Sequence, residues 1–129
     1  MHFEGHTLYI KLQGMWNVEG WRDYQDHVQS EVLKSNLPFW GTCVDATEWE
    51  FFTSEVWETA QQDGLWAIEH NMRFNGMAMN RIMFKQLTTE HMDNNYPGFD
   101  YAIFQNYDEC LRWCKEKEAT YCRANLDGL

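Results

Sequence analysis

Residues 40–54 read WGTCVDATEWEFFTS, and this stretch decides the fold. Its first five residues are apolar or small and suit a buried strand, which Asp45 is expected to end. The acidic and aromatic residues that follow predict a loop, after which Thr53 or Ser54 opens a helix as its N-cap. In open α/β domains, ligands and partners commonly bind where a strand ends and a helix begins. The stretch therefore predicts an α/β fold and places a candidate site after Asp45.

Outward from this stretch, the apolar period alternates between two residues and about 3.6 residues, as expected for strands and helices in turn. The pattern predicts strands at residues 1–4, 6–13, 39–44, 77–85 and 101–104, and helices at residues 17–35, 54–72, 88–94 and 106–118. Single helices between strands imply right-handed crossovers. We therefore expect a mixed, mostly parallel sheet of four or five strands with flanking helices, in which only the N-terminal hairpin is antiparallel.

The length and composition indicate a single domain, residues 1–129. A chain of 129 residues that is 44% hydrophobic and 16% aromatic can bury one core. Residues 119–129 show no clear period and are expected to form a C-terminal tail. Gly64 lies in the apolar row of the second helix, where we expect it to let helix and sheet approach closely, at a cost of about 1 kcal/mol in helix propensity.

The charge balance is strongly acidic. Twenty acidic residues against ten basic ones give a formal net charge of -10, which argues against nucleic-acid binding because that needs Lys and Arg. No Lys or Arg occurs between Lys34 and Arg73, although seven acidic residues fall in this interval. The interval is either a solvated face that aids solubility or a docking patch for a protein with a basic surface.

The sequence predicts a cytoplasmic protein that does not span a membrane. No apolar run approaches the roughly 18 residues of a membrane span, and the first residues lack the basic start and apolar core of a signal peptide. Cys43, Cys110, Cys114 and Cys122 are then expected to be reduced thiols. Cys110 and Cys114 lie four residues apart without a second Cys or His pair at the usual zinc spacing, so we expect buried small hydrophobes rather than metal ligands.

Three places in the chain carry a family resemblance. They are residues 8–14, Val44 and Asp45 followed by Trp57, and a terminal set. The terminal set is Phe104, Asn106, Asp108, Glu109, Leu111 and Trp113. Together with the order of the elements, these residues resemble STAS domains, and more closely the SpoIIAA-like group related to bacterial anti-sigma-factor antagonists. The resemblance covers about residues 4–118 and implies a non-enzymatic regulatory module.

In that family, a serine at the start of the helix after the central strand is phosphorylated by a partner kinase, which switches binding off. Thr53 and Ser54 hold the corresponding place here. Phe52, however, stands where the family has Asp, and Glu55 stands where it has Gly. A phosphate would gain from the helix N-terminus but would lie among carboxylates, so plain N-capping is favoured over a phospho-switch.

Three functional classes remain open. The favoured one is an interaction module that binds a protein partner with a basic surface. Its predicted binding residues are Asp45, Glu48, Trp49, Glu50, Thr53, Ser54, Glu55 and Glu58. A carrier or sensor of a small apolar, lipid-like ligand is the alternative, suggested by seven Trp, seven Met and eight Phe residues. The third class is an enzyme that uses Asp45 with Cys43.

No cofactor, metal site or catalytic constellation is predicted. The aromatic excess is larger than one small core readily hides, and aromatic side chains are enriched in interface cores. We therefore also expect weak self-association, as a homodimer.

Overall fold

The computed structural model of the protein describes residues 1–90 and 98–127. Within them lie five strands: β1 (His2–Glu4), β2 (Thr7–Trp16), β3 (Trp40–Phe52), β4 (Met72–Met79) and β5 (Asp100–Phe104). The helices are α1 (Val18–Ser35), α2 (Ser54–Glu69), α3 (Arg81–Glu90) and α4 (Tyr107–Asp127). The expected α/β class and five-stranded sheet are confirmed.

The strands lie in the order β1-β2-β3-β4-β5, so β3 is the central strand. Only β1 and β2 are antiparallel, and the other three pairings are parallel. Right-handed crossovers between strands added always on the same side place α1, α2 and α3 on one face of the sheet. The helix α4 follows the last strand and packs on the opposite face, against β3, β4 and β5.

A side-chain cap precedes each helix, which explains why each helix can begin so soon after the strand before it. Asn17, Thr53, Asn80 and Asn106 each accept a hydrogen bond from the backbone N–H three residues later. Such caps satisfy amides that the first helical turn leaves without a partner. The expected N-cap role of Thr53 is confirmed, with 3.4 Å between its Oγ1 and the Val56 nitrogen.

The two faces of the sheet carry separate cores. We call the first the aromatic core, and it lies beneath α1, α2 and α3. Its buried members are Leu8, Ile10, Leu12, Trp21, Val28, Val32, Trp40, Val44, Ala46, Trp49, Val56, Ala67, Met72, Met79 and Met83. We call the second the thiol core, and it lies beneath α4. Its buried members are Phe39, Cys43, Phe74, Ala78, Cys110 and Cys114.

Three strand predictions are wrong in their bounds. The strand β2, expected at residues 6–13, continues to Trp16. The strand β3 does not end at Asp45, because it continues through the expected loop to Phe52. The strand expected at residues 77–85 instead begins at Met72 and ends at Met79. A bulge interrupts the start of β4, where the strand has an extra residue, Arg73, opposite the step from Trp40 to Gly41 in β3. That bulge puts Met72 in the aromatic core and Phe74 in the thiol core, which breaks the simple two-residue alternation.

The helix bounds also differ from the predictions. Residues 82–84, expected at the centre of a strand, belong to α3, and α2 ends at Glu69 rather than at residue 72. Of the short helix expected at residues 88–94, residues 88–90 lie in α3 and residues 91–94 lie outside the described residues. The expected C-terminal tail is wrong for its described part, because α4 continues to Asp127.

Gly64 does not have the role expected of it. A Cβ placed there would meet no atom within 4 Å, so α2 does not need this glycine to approach the sheet. The close approaches lie on the opposite face, where a Cβ on Gly41 would collide with the Phe74 ring and one on Gly76 with the thiols of α4. None of the described helices is both long enough and apolar enough to span a membrane.

Candidate functional site

The predicted site lies on the second half of β3, which projects beyond β4. Pairing between β3 and β4 ends at Ala46 and Met79, whereas pairing between β2 and β3 continues to Trp16 and Phe52. Two register shifts interrupt that longer pairing, between Lys11 and Gln13 and again between Gly14 and Met15. Each shift gives β3 one extra residue, so the end of β3 is a bulged two-stranded ribbon rather than a loop.

Asp45 lies within β3, on the face that carries Cys43. Its Oδ1 accepts hydrogen bonds from the Thr47 nitrogen at 3.1 Å and from the Thr47 hydroxyl at 2.6 Å. Both bonds are local, and they hold the chain at the first bulge. Asp45 is half-buried, and this contact gives it a structural role at the position where sequence analysis placed the start of the site.

Glu48 is exposed but already has partners on β2. Its Oε2 lies 3.1 Å from Lys11 Nζ and accepts a hydrogen bond from Gln13 Nε2 at 2.6 Å. The hydrogen bonds from Gln13 and Lys11, together with the Lys11 charge, lower the pKa of this carboxyl. Residues 35–72 contain no Lys or Arg, but in the folded protein they have a positive charge beside them, because Lys11 of the neighbouring strand β2 lies next to Glu48.

Trp49 belongs to the aromatic core and is only 3% exposed. Its ring packs edge-on against Trp16, with 6.2 Å between ring centroids, and its carbonyl accepts a hydrogen bond from Asn80 Nδ2 at 2.8 Å. Trp49 is thus placed to hold the ribbon on the helices rather than to contact a partner. Sequence analysis missed Asn80, which caps α3 and ties its start to β3.

The remaining predicted residues lie where β3 passes into α2. Glu50, Glu55 and Glu58 are exposed, Thr53 caps α2, and Ser54 is its first residue. Glu50 lines a shallow concavity together with Asn80, Arg81 and Ile82. Ile82, in the same concavity, is 79% exposed. Met15 on β2 is 75% exposed, but its neighbour Trp16 packs in the aromatic core, so the Met15 side chain lies on the other face of the sheet.

The structure also brings together residues that could hold a metal, which sequence analysis did not anticipate. Cys43 from β3 meets Cys110 and Cys114 from α4, and the three Sγ atoms all lie within 4.8 Å of one another. The expected burial of Cys110 and Cys114 is confirmed, because both are 0% exposed. The four cysteines are free thiols, as expected. Sequence spacing showed only the pair on α4, because its third member is distant in the chain.

The three thiols differ in pKa. Hydrogen bonds from Cys110 and Cys114 lower the pKa of Cys43 to about 4, outweighing its burial. Hydrogen bonds with Cys114 and Cys43, together with burial, raise the pKa of Cys110. For Cys114, the hydrogen bond with Cys110 lowers the pKa, but the bond to Cys43 and burial outweigh it and raise the pKa to about 12. Tyr107 packs beside this group, where burial and Cys43 raise its pKa. Of the three thiols, Cys43 is therefore the one that loses its proton most readily.

Comparisons of the chain with protein-family models, with curated proteins and with solved structures return no match.

Proposed function

We propose that the protein is a non-enzymatic, STAS-like interaction module that binds a basic protein partner where β3 passes into α2. The surface consists of the carboxylates of Glu50, Glu55 and Glu58 and the apolar side chain of Ile82, and we call it the junction surface. The sequential, mostly parallel sheet with a capped helix after its central strand supports the STAS-like part of the proposal.

The observation that carries the proposal is that the exposed apolar side chain of Ile82 lines the same concavity as Glu50, at the end of β3 that leads into the acidic first turns of α2. Protein-binding sites commonly combine an apolar centre with a polar rim. Arg81 adds one positive group beside Glu50, so the acidic side of this surface is the first turns of α2.

This arrangement predicts how a partner would be recognised. Basic side chains of the partner would approach Glu55 and Glu58, and an apolar side chain would cover Ile82. Complementary charges mainly raise the association rate, and added salt screens them over about 8 Å at physiological ionic strength. Capture of the partner should therefore weaken as salt increases, while the apolar contact slows its release.

A pair of charge-matched triple variants tests this placement. The junction variant carries Glu50→Gln, Glu55→Gln and Glu58→Gln. The control variant carries Asp23→Asn, Glu69→Gln and Glu116→Gln, three exposed positions outside the junction surface. Both variants lose three negative charges, so they differ in position and not in net charge. Each is immobilised beside the wild type, exposed to native lysate, and the captured proteins are quantified at low and high salt.

We expect the junction variant to capture its partner roughly tenfold less than the wild type at low salt. The control variant should capture as much partner protein as the wild type does. High salt should reduce capture by the control variant and by the wild type alike. Circular dichroism must show that all three proteins are folded, which is expected because exposed charges contribute little to stability. Equal losses of captured protein in the two variants would mean that net charge, and not the position of the charges, causes the effect. If a lipid co-purifies equally with all three proteins and the amount of captured protein does not change, the apolar-ligand alternative is favoured.

A further inference from the structure

Three cysteine sulfurs converge in the thiol core, away from the junction surface. The Sγ atoms of Cys43 and Cys110 are 4.0 Å apart, and all three sulfurs lie within 4.8 Å of one another. The Cys114 sulfur also lies 3.7 Å from the carbonyl oxygen of Thr42. Each of the three side chains is 0% exposed.

The fold builds this cluster from two elements and a glycine. Cys110 and Cys114 are four residues apart, which places them one turn apart on the same face of α4. Cys43 lies on β3 in register with Gly76 of β4. A Cβ on Gly76 would lie 2.5 Å from the Cys114 sulfur and 3.2 Å from the Cys110 sulfur. The thiols of α4 therefore occupy the space that the side chain of any residue other than glycine at position 76 would need.

The sulfur spacing matches the ligand shell of a metal ion. Three sulfurs bound to one ion at about 2.3 Å in a trigonal plane must lie about 4.0 Å apart, and tetrahedral angles shorten this separation only slightly. The distance between Cys43 and Cys110 already has this value. The third sulfur requires an adjustment of less than about 1 Å, which rotation about side-chain bonds can supply.

We propose that Cys43, Cys110 and Cys114 form a metal site that takes one soft, thiophilic d10 cation, of the Zn²⁺ or Cu⁺ class. Thiolate sulfur selects such ions over Mg²⁺ and Ca²⁺, which prefer oxygen ligands. The buried side chains around the sulfurs are apolar, namely Phe39, Phe74 and Ala78, and the Tyr107 hydroxyl lies beside Cys43. Sulfur is therefore the main ligand offered, and a hard cation would find too few oxygen atoms to replace its water.

Binding would couple the ion to the docking of α4. Because the thiols are fully buried, an ion can reach them only when α4 moves away from the sheet. Once bound, the ion joins the central strand to α4 through three bonds. Metal should therefore associate slowly, raise the Tm, and slow amide exchange along α4 and β3.

Metal titration of the full chain tests the proposal. Reduced, chelator-treated protein is titrated anaerobically with Cd²⁺, whose ultraviolet charge-transfer band reports bonds to thiolate. Zn²⁺ and Cu⁺ are then added in separate competitions against chelators of known affinity. We expect one ion per chain for Cd²⁺ and for at least one of the two biological ions, with a Cd²⁺ band of the intensity of three sulfurs.

Single variants identify the ligands. Cys43→Ala, Cys110→Ala and Cys114→Ala should each weaken binding by at least about 100-fold, because losing a ligand costs more than losing one of its outer partners. Cys122→Ala is the matched control, since Cys122 lies on α4 but outside the cluster, and it should bind like the wild type. Equal binding by the wild type and Cys110→Ala would overturn the site.

A measurement on the wild type keeps the proposal testable if the variants do not fold. X-ray absorption of the Zn²⁺- or Cu⁺-loaded protein counts sulfur neighbours at about 2.3 Å directly. Three sulfurs support the site. A shell dominated by oxygen or nitrogen would contradict it, and so would failure of both ions to bind more tightly than to a peptide with a single cysteine.

Discussion

The aromatic core contains three buried tryptophans and many long aliphatic side chains, and it lies beneath three helices. The thiol core contains small residues and three cysteines, and it lies beneath the single helix α4. In the thiol core, Gly41, Gly76 and Ala78 bring neighbouring side chains and α4 close to the strands. The space beside Gly64 of α2 is open, whereas the space beside Gly76 is filled by side chains of α4. The two faces should therefore respond differently to the same small substitution.

The largest expected effect comes from a methyl group added under α4. In Gly76→Ala, the new Cβ would lie within 3.2 Å of three side-chain atoms, from Cys110, Trp113 and Cys114. The helix must then shift away from the sheet, which we expect to lower the free energy of unfolding by about 1–3 kcal/mol. Urea denaturation followed by circular dichroism measures this loss.

Gly64→Ala makes the same chemical change on the other face and serves as its control. No atom lies within 4 Å of the new Cβ, and the residue lies inside α2. The better helix propensity of alanine should raise the free energy of unfolding by about 0.5–1 kcal/mol. Opposite signs for the two variants would support the contrast between the faces. A loss of stability at both positions would mean that α2 also packs closely.

Helices α1 and α2 on the aromatic side could be predicted from the sequence, whereas the sequence pattern predicts a strand for the first part of α3 on the same side. In α1, Trp21, Val28 and Val32 lie at helical spacing, and all three are buried. Prediction failed where the backbone departs from regular pairing. The bulge at Arg73 in β4 and the two bulges in β3 change which residues share a face, and they depend on neighbouring strands that a local pattern does not reveal.

The candidate sites show the same limit. The exposed carboxylates at the start of α2 could be found from the sequence, because acidity and a helix cap are local features. The partnership of Glu48 with Lys11 and the meeting of Cys43 with α4 could not, since the partners are distant in the chain. Small residues carry little hydrophobic signal, so the close approach of α4 to Gly76 could not be predicted either.

A smaller effect is expected where the second half of α4 is held to the sheet. The Tyr121 hydroxyl donates a hydrogen bond to Asp100 Oδ2 at 2.8 Å, and its ring stacks on Phe74 with 6.2 Å between centroids. Tyr121→Phe keeps the ring and removes the hydrogen bond, which should lower the free energy of unfolding by about 1 kcal/mol. Thermal denaturation and urea denaturation both measure this loss of stability.

A double-mutant cycle separates this bond from other effects of the substitution. In an Asp100→Ala background, Tyr121→Phe should cost almost nothing further, because the acceptor is already absent. Lys117 lies 3.5 Å from the same carboxylate, so the single Asp100 variant also reports the loss of that ion pair. An unchanged cost of Tyr121→Phe in both backgrounds would show that the hydrogen bond does not hold α4.

The smallest expected effect lies on the aromatic side and depends on pH. Asp63 accepts a hydrogen bond from Trp21 Nε1 at 2.6 Å. Burial raises the pKa of Asp63 above its ordinary value of 3.8, with a further contribution from Asp26, although the bond from Trp21 opposes the shift. The folded protein therefore holds this proton more tightly than the unfolded chain. The resulting stabilisation is complete below about pH 3.8 and is lost as the pH rises through the folded-state pKa.

Asp63→Asn removes this titration and keeps an oxygen that can accept from Trp21. Relative to the wild type, the variant should gain stability as the pH rises from about 3 to 7, by less than about 1 kcal/mol because solvent screens a partly exposed charge. Denaturation at several pH values measures the difference between the two proteins. Asp63→Ala is the control, since it also removes the acceptor and should lose stability at every pH. A difference between Asp63→Asn and the wild type that stays constant with pH would mean that the aromatic core does not raise the cost of this charge.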